Sequence, residues 1–290
     1  MAAAATPTIT LRGGMLMPLL GFGTWGGKDD AELVAAAVRT AVAQHGYRSI
    51  DCAEVYKNEA EIGSVLAELI ASGAVTRDEL FITSKVWNTN HAAEHVRAAC
   101  HRTLRHLQVE QLDLYLVHWP FAWEHIGPEL EWGPAKTRMP TDETGDACMA
   151  EVRLEETWRA MEALVDEGLV KNIGVSNFNV QTLNDLLTYA RIKPAVLQAK
   201  RSHCQCRVAA VLSLWCHAAR YIIQTTVSLS SRACRWRCIA TSRRTGYVHS
   251  AARMESPSLR TAPSGGRGST VTARCCSRTT WWRQWRSGAA

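Results

Sequence analysis

The sequence predicts an α/β fold of the (β/α)8-barrel type, with six βα units legible, followed by a C-terminal segment of another kind. Short apolar segments alternate with amphipathic ones of helical length, the mark of βα units around a parallel sheet. The strand-like segments are apolar almost throughout, as strands buried on both faces are. The composition then changes abruptly after Gln198.

Taken in order, Thr8–Leu11 and Met15–Pro18 flank Gly13-Gly14, the turn chemistry of a hairpin. Strands are expected at Leu19–Phe22, Tyr47–Asp51, Leu80–Val86, Leu112–Val117, Val170–Ser176 and Ala195–Gln198. Helices are expected between them, at Asp29–Gln44, Asn58–Ala71, His91–Leu107, Glu151–Glu167 and Asn179–Tyr189. In the third helix Val96, Ala99, Cys100, Thr103, Leu104 and Leu107 repeat at i, i+3/i+4 and form one buried face. Asp29 and Asn179 stand where N-caps belong, and Gly168 closes the fourth helix as a C-cap. A closed barrel needs eight strands, so six leave it incomplete in the legible sequence.

The chain has 290 residues and a formal net charge of +6. Residues 1–198 carry 17 Lys+Arg against 26 Asp+Glu, whereas residues 199–290 carry 16 against the single acid Glu255. Seven of the ten cysteines also lie in that last segment, so they do not form the framework of a small disulfide-bonded domain. Residues 1–198 are read as one barrel-type domain and 199–290 as a basic Arg/Ser/Cys-rich tail that is not a folded domain. A hydrophobic fraction of 47% excludes a wholly disordered chain. No apolar run approaches the roughly 18 residues of a membrane span. The first residues lack the basic and apolar regions of a secretory leader, so a cytoplasmic location is expected.

In a βα barrel the reactive groups sit at the carboxyl ends of the strands. Those positions hold Asp51, then Tyr56 in the following loop, Lys85, His118, Ser176-Asn177 and Gln198. A tyrosine hydroxyl is a poor acid near neutrality unless a cation favours its phenolate. Lys85 can be that cation, Asp51 can hold Lys85 in place, and His118 can donate to a substrate oxygen. Tyr56 would then protonate a carbonyl oxygen as hydride reaches the carbon. Neither metal-ligand spacing nor a nucleophile elbow occurs in this stretch.

The segment from about Thr8 to Gln198 resembles the aldo-keto reductase family. The resemblance rests on Leu20-Gly-Phe-Gly-Thr-Trp25, Tyr47-Arg-Ser-Ile-Asp51 leading to Tyr56-Lys-Asn-Glu59, and Phe81-Ile-Thr-Ser-Lys85. It continues through Asp113-Leu-Tyr-Leu-Val-His-Trp-Pro120, Gly168-Leu-Val-Lys-Asn-Ile-Gly-Val-Ser-Asn-Phe178 and Lys193-Pro-Ala-Val-Leu-Gln198. It implies an NADPH-dependent oxidoreductase that reduces aldehydes or aldoses, with Tyr56, Lys85, Asp51 and His118 as the catalytic set. It also implies cofactor contacts from Gly23, Thr24, Trp25, Ser176, Asn177 and Gln198, and substrate contacts from Trp25, His118 and Trp119. The cofactor would bind without a GxGxxG fingerprint. A small carbonyl compound is the implied partner, no metal is implied, and a monomer is expected.

After Gln198 the family's later elements do not follow: Ala-Lys-Arg-Ser-His-Cys-Gln-Cys stands there instead. The alternative reading is therefore an inactive truncated or frame-shifted relative. A third is an interaction protein whose basic tail contacts nucleic acid or anionic lipid. His203-Cys-Gln-Cys206 with Cys216-His217 has no common zinc spacing. Cys52 is read as an unreactive thiol and Glu54 as a solvated loop carboxylate. Trp87 and Trp123 are read as packing aromatics. The segment from Phe121 to Ala150, with Trp123 and Trp132, is read as the specificity loop.

Overall fold

The computed structural model describes residues 6–26, 30–127 and 139–199. An antiparallel hairpin comes first, β1 (Thr8–Thr10) on β2 (Leu16–Pro18), with Gly13 and Gly14 at φ of +95° and +92° in its turn. Side chains rarely adopt that backbone, which is why glycines stand there.

Six parallel strands follow in sequential order: β3 (Phe22–Gly23), β4 (Ser49–Asp51), β5 (Phe81–Val86), β6 (Leu114–Val117), β7 (Ile173–Ser176) and β8 (Leu197–Gln198). The connecting helices are α1 (Ala31–Ala43), α2 (Glu59–Ala71), α3 (Ala93–Leu107), α4 (Leu154–Asp166) and α5 (Val180–Tyr189). Five βα units and a sixth strand therefore stand in the expected order. The paired strands are shorter than their apolar segments, for local reasons. The Leu19 N–H is taken by the Pro7 carbonyl at 2.8 Å, which closes the hairpin and delays pairing to Phe22. The Tyr47 N–H turns back to Ala41 O at 3.0 Å and finishes α1, so β4 starts at Ser49.

The sheet curls. Gln198 on β8 donates to Asp51 on β4 at 3.2 Å, although these strands are four places apart in the sheet. In a flat sheet they would lie about 19 Å apart. The arc of a barrel brings them together.

Alternation along β6 shows how the two sides of the arc are filled. Tyr115 and Val117 point to the helix-facing core with Ile50, Ile82, Val96, Leu104, Trp158 and Ile173. Leu114 and Leu116 point inward, with Phe81 and Val196, and the hairpin residues Leu11 and Met17 close that cluster. The hairpin thus plugs the inside of the arc at its amino end. On the outside, α2 lies so close to α3 that a Cβ at Gly63 would overlap the backbone of His106 and Leu107.

The caps follow their chemistry. Asn179 accepts from the Thr182 N–H at 2.9 Å, while the Thr182 hydroxyl accepts from the Asn179 N–H at 3.1 Å. Gly168 (φ +73°) and Leu169 donate back to Val165 and Leu164, both at 3.0 Å, and end α4. The six-residue buried face predicted for the third helix is the buried face of α3. Asp29 lies outside the described residues, as do Trp132, the cysteine–histidine cluster after His203 and the tail from residue 200 onward.

Candidate active site

Each functional side chain is placed by the end of a strand. β4 ends at Asp51, and a single helical turn, Glu54–Tyr56, then lifts Tyr56 over the sheet. Lys85 is the fifth residue of the fully buried strand β5, and His118 directly follows β6. The structure brings these four together with Gln198.

Lys85 is the hub. Its Nζ donates to Asp51 Oδ1 at 2.8 Å and to the Cys52 carbonyl at 2.7 Å, and lies 3.4 Å from the Tyr56 hydroxyl. It also stands 5.1 Å from the centre of the Tyr56 ring, and its side chain is wholly buried. Asp51 takes a second hydrogen bond from Gln198. The Tyr56 ring meets Trp25 at 5.0 Å and, edge on, His118 at 6.0 Å between centroids. Trp87 packs edge on against His118 at 5.0 Å, with Trp123 behind it at 5.3 Å. The Trp119 ring lies tilted by 39° against Phe121, with centroids 5.8 Å apart.

The electrostatics divide the roles. Burial works against the charge on Lys85, but the Asp51 carboxylate and Tyr56 more than offset it, and the lysine is held protonated. Burial also raises the Tyr56 pKa; Lys85 pulls it down without reversing the shift. The phenol is thus kept protonated beside a cation that would favour its phenolate. For His118, burial and the nearby Lys85 push the pKa well below 6.5, leaving a neutral imidazole. Cys52 is fully buried and its thiol is pushed strongly up, first by burial and then by Glu59 and Asp51. That removes the thiolate a reactive cysteine needs.

The residues expected to hold the cofactor cluster at neighbouring strand ends. Ser176 on β7 is in register with Gln198 on β8. The Asn177 amide donates to the His118 carbonyl at 2.9 Å and to the Ser176 hydroxyl at 3.1 Å. Its backbone, at φ +61°, donates to the Gln198 carbonyl at 2.9 Å. Thr24 donates through its hydroxyl (2.9 Å) and its N–H (3.1 Å) to the carbonyl of Asp51, fixing the Gly23–Trp25 segment beside β4. Trp25 remains 40% exposed at the mouth. Among the described residues, no group of three or more metal-ligating side chains occurs.

Some contributors escaped the sequence reading. The Asn58 amide donates to the Thr24 carbonyl at 2.8 Å and locks the strand-end loops together. The sequence marked it only as the first residue of the expected helix Asn58–Ala71. Glu54 is not a solvated loop carboxylate: it is fully buried, paired with Arg102 of α3 and hydrogen-bonded by Asn90. Its partner lies 48 residues away on another element, so no local pattern announces it.

Parallel βα units with a Tyr–Lys–Asp–His set at the carboxyl ends of the strands define a barrel-type protein with a buried polar cluster at one end of its sheet. The chain belongs to the aldo/keto reductase family, whose model matches residues 19–220. It is 44% identical over 218 residues to aldo-keto reductase family 1 member A1 of Pongo abelii, covering 71% of this chain and 63% of that protein. It is 48% identical over 184 residues to aldose reductase B of Dictyostelium discoideum, covering 63% of this chain and 57% of that one. The solved aldose reductase of Schistosoma japonicum superposes with a TM-score of 0.66 at 41% identity, over 75% of this chain and 68% of the other. The chain thus matches about three fifths of the length of these two sequence relatives.

Proposed function

We propose that this chain is an oxidoreductase that reduces aldehydes or aldoses to alcohols, with NADPH as hydride donor and Tyr56 as proton donor. The observation that carries the reading is Lys85, buried and protonated, joining Asp51 to the Tyr56 hydroxyl while His118 packs against the same ring. Residues up to about 198 form the reductase domain. The described cysteines, Cys52, Cys100 and Cys148, are all free thiols, which suits the reducing cytoplasm.

The donor set fits the nicotinamide end of the cofactor. A carboxamide both donates and accepts, and Ser176, Asn177 and Gln198 offer one hydroxyl and two amides on adjacent strand ends. Bound there, NADPH supplies the hydride. The chain's own residues do the rest. His118 is neutral and its Nδ1 is buried with no hydrogen-bond partner among the described residues, so the ring retains capacity to orient a carbonyl group. Tyr56 gives its proton to the carbonyl oxygen as that oxygen becomes an alkoxide, and Lys85 stabilises the phenolate left behind. Asp51 keeps Lys85 aimed at Tyr56. Trp25, Trp87 and Trp123 provide apolar walls that keep water from the transferred proton.

The test is a fluorescence titration of the purified full chain with NADPH, followed by turnover with 4-nitrobenzaldehyde. Micromolar binding and turnover that disappears in Tyr56→Phe are expected. Absence of NADPH binding, or a Tyr56→Phe variant as fast as the parent, overturns the reading.

A further inference from the structure

We infer that Glu54, Arg102 and Asn90 form a positioning clamp that holds the Tyr56 turn against the Lys85 strand from behind the site. This rests on the reading of Tyr56 as proton donor and adds residues to that site which never touch substrate.

The three-residue turn Glu54–Tyr56 is fixed through both its backbone and its side chains. Its backbone is closed by the Tyr56 N–H to Ala53 O at 2.9 Å and the Lys57 N–H to Glu54 O at 3.2 Å. Lys57 then leaves in the left-handed region at φ +58°. In so tight a turn, residues two apart project to different sides. Tyr56 faces the site, while Glu54 is driven into the space between the sheet and α3, with no exposed surface. There its Oε1 accepts from Arg102 Nε at 2.8 Å and also from Arg102 Nη2, a two-pronged contact with one oxygen. Its Oε2 accepts from Asn90 Nδ2 at 3.2 Å. Arg102 belongs to α3, and Asn90, five residues after Lys85, to the turn Asn88–Asn90 that follows β5.

One carboxylate therefore ties together the turn that carries Tyr56, the exit of the strand that carries Lys85, and the helix that covers both. The Tyr56–Lys85 separation of 3.4 Å is already at the outer edge of a hydrogen bond. A further slip of the turn would break the contact. Proton transfer depends steeply on such placement, and misplacement of about 1 Å costs about a hundredfold in rate. A desolvated ion pair is also a poor choice for stability alone, because well-packed apolar residues serve as well or better. Orientation is the benefit this pair offers.

The experiment uses the full chain and two kinds of variant. Glu54→Leu/Arg102→Met replaces the pair by apolar volume and preserves folding; Arg102→Lys keeps the charge but loses the planar fork. With NADPH and 4-nitrobenzaldehyde, the double variant is expected to lose about ten- to a hundredfold in kcat, with NADPH Kd unchanged and a larger solvent isotope effect on kcat. Arg102→Lys should fall in between. Added to Tyr56→Phe, the double variant should cost nothing more, because the clamp acts only through that hydroxyl. A second readout needs no turnover: in protein labelled with ε-13C-tyrosine, the Tyr56 signal, assigned by its loss in Tyr56→Phe, should be single in the parent and broadened or split in the clamp variants.

If Tyr56→Phe abolishes turnover while the clamp variants keep the parental kcat and an unchanged Tyr56 signal, the clamp is wrong and the proton donor stands. If Tyr56→Phe is as fast as the parent, the catalytic reading falls. The NMR signal then decides the clamp alone.

Discussion

The two ends of the sheet carry the same pair of residues and use it in opposite ways. At the carboxyl end Lys85 meets Asp51 at 2.8 Å, with the lysine side chain at 0% exposure. At the amino end Lys171 meets Asp113 at 2.8 Å, but that lysine is 35% exposed and the aspartate 2%. Asp113 is fully spent on the fold. Its Oδ2 accepts from the Ile82 N–H at 2.8 Å and from Arg77 at 2.9 Å, while Oδ1 takes Lys171, so one carboxylate staples the starts of β5, β6 and β7. Asp51 instead holds a desolvated cation that still has a phenol to serve. Both carboxylates are buried, Asp51 at 3% and Asp113 at 2% side-chain exposure, so the burial of the cation separates the two pairs. A buried carboxylate with solvated cations is a staple; a buried cation with a second acceptor is a tool.

The sharpest way to break this contrast is at the tool end. Tyr56→Phe removes only the hydroxyl that Lys85 faces. Turnover is expected to fall by about 10²- to 10⁴-fold, while the urea midpoint stays close to the parent's; a large loss of stability would make the site a staple too. At the other end, Asp113→Ala strands the Ile82 N–H and removes the shared partner of two cations. Urea unfolding is expected to show a loss of about 3–5 kcal/mol, with turnover per folded molecule unchanged.

Glu59 sharpens the comparison with a third arrangement, a buried carboxyl with no cation bonded to it among the described residues. It is held by Ser84 at 2.5 Å and Thr103 at 3.1 Å. Burial, with a further push from Glu54, raises its pKa from 4.5 to about 7. Between those values the folded state holds a proton that the unfolded state has released. Stability should therefore fall as pH rises through that window, by up to about 3 kcal/mol, and level off above it. His91 acts with the other sign: burial lowers it from 6.5 to about 4, so its contribution is lost as pH falls through that range. The two contributions oppose each other between about pH 4.5 and 6.5, so Glu59→Gln should unmask a stability that rises with pH there. Urea midpoints of both proteins across pH 4–8 test this, and parallel curves would remove the titration from Glu59. The smallest effect belongs to the solvated partner of the staple. Lys171→Met should cost about 0.5 kcal/mol, and a loss as large as that of Asp113→Ala would show that exposure does not separate the pairs.

Much of the barrel and of the placing of its candidate site was legible because the information is local. Strands such as Phe81–Val86 announce themselves by continuous apolar sequence, and the strand-end position of Asp51, Lys85 and His118 follows from the fold class. What stayed hidden depends on residues that meet only in space. Glu54 reads as a loop carboxylate until Arg102 arrives from α3. Asn58 reads as the first residue of a helix until its amide is seen on Thr24. Trp87 reads as packing until it lies against the His118 ring. The net effect of Lys85 on Tyr56 was hidden as well. The charge pulls the phenol's pKa down as expected, but the depth of burial, which composition does not reveal, outweighs it.

The bond from Gln198 to Asp51 joins residues 147 positions apart, whereas Lys85 reaches Asp51 across only 34. Closing the longer loop costs more chain entropy and requires every intervening strand to be in place. The lysine can find its aspartate while the chain is still being made. The glutamine must wait until all six strands exist, so the cluster is completed in two instalments, with its Gln198 side the last to form.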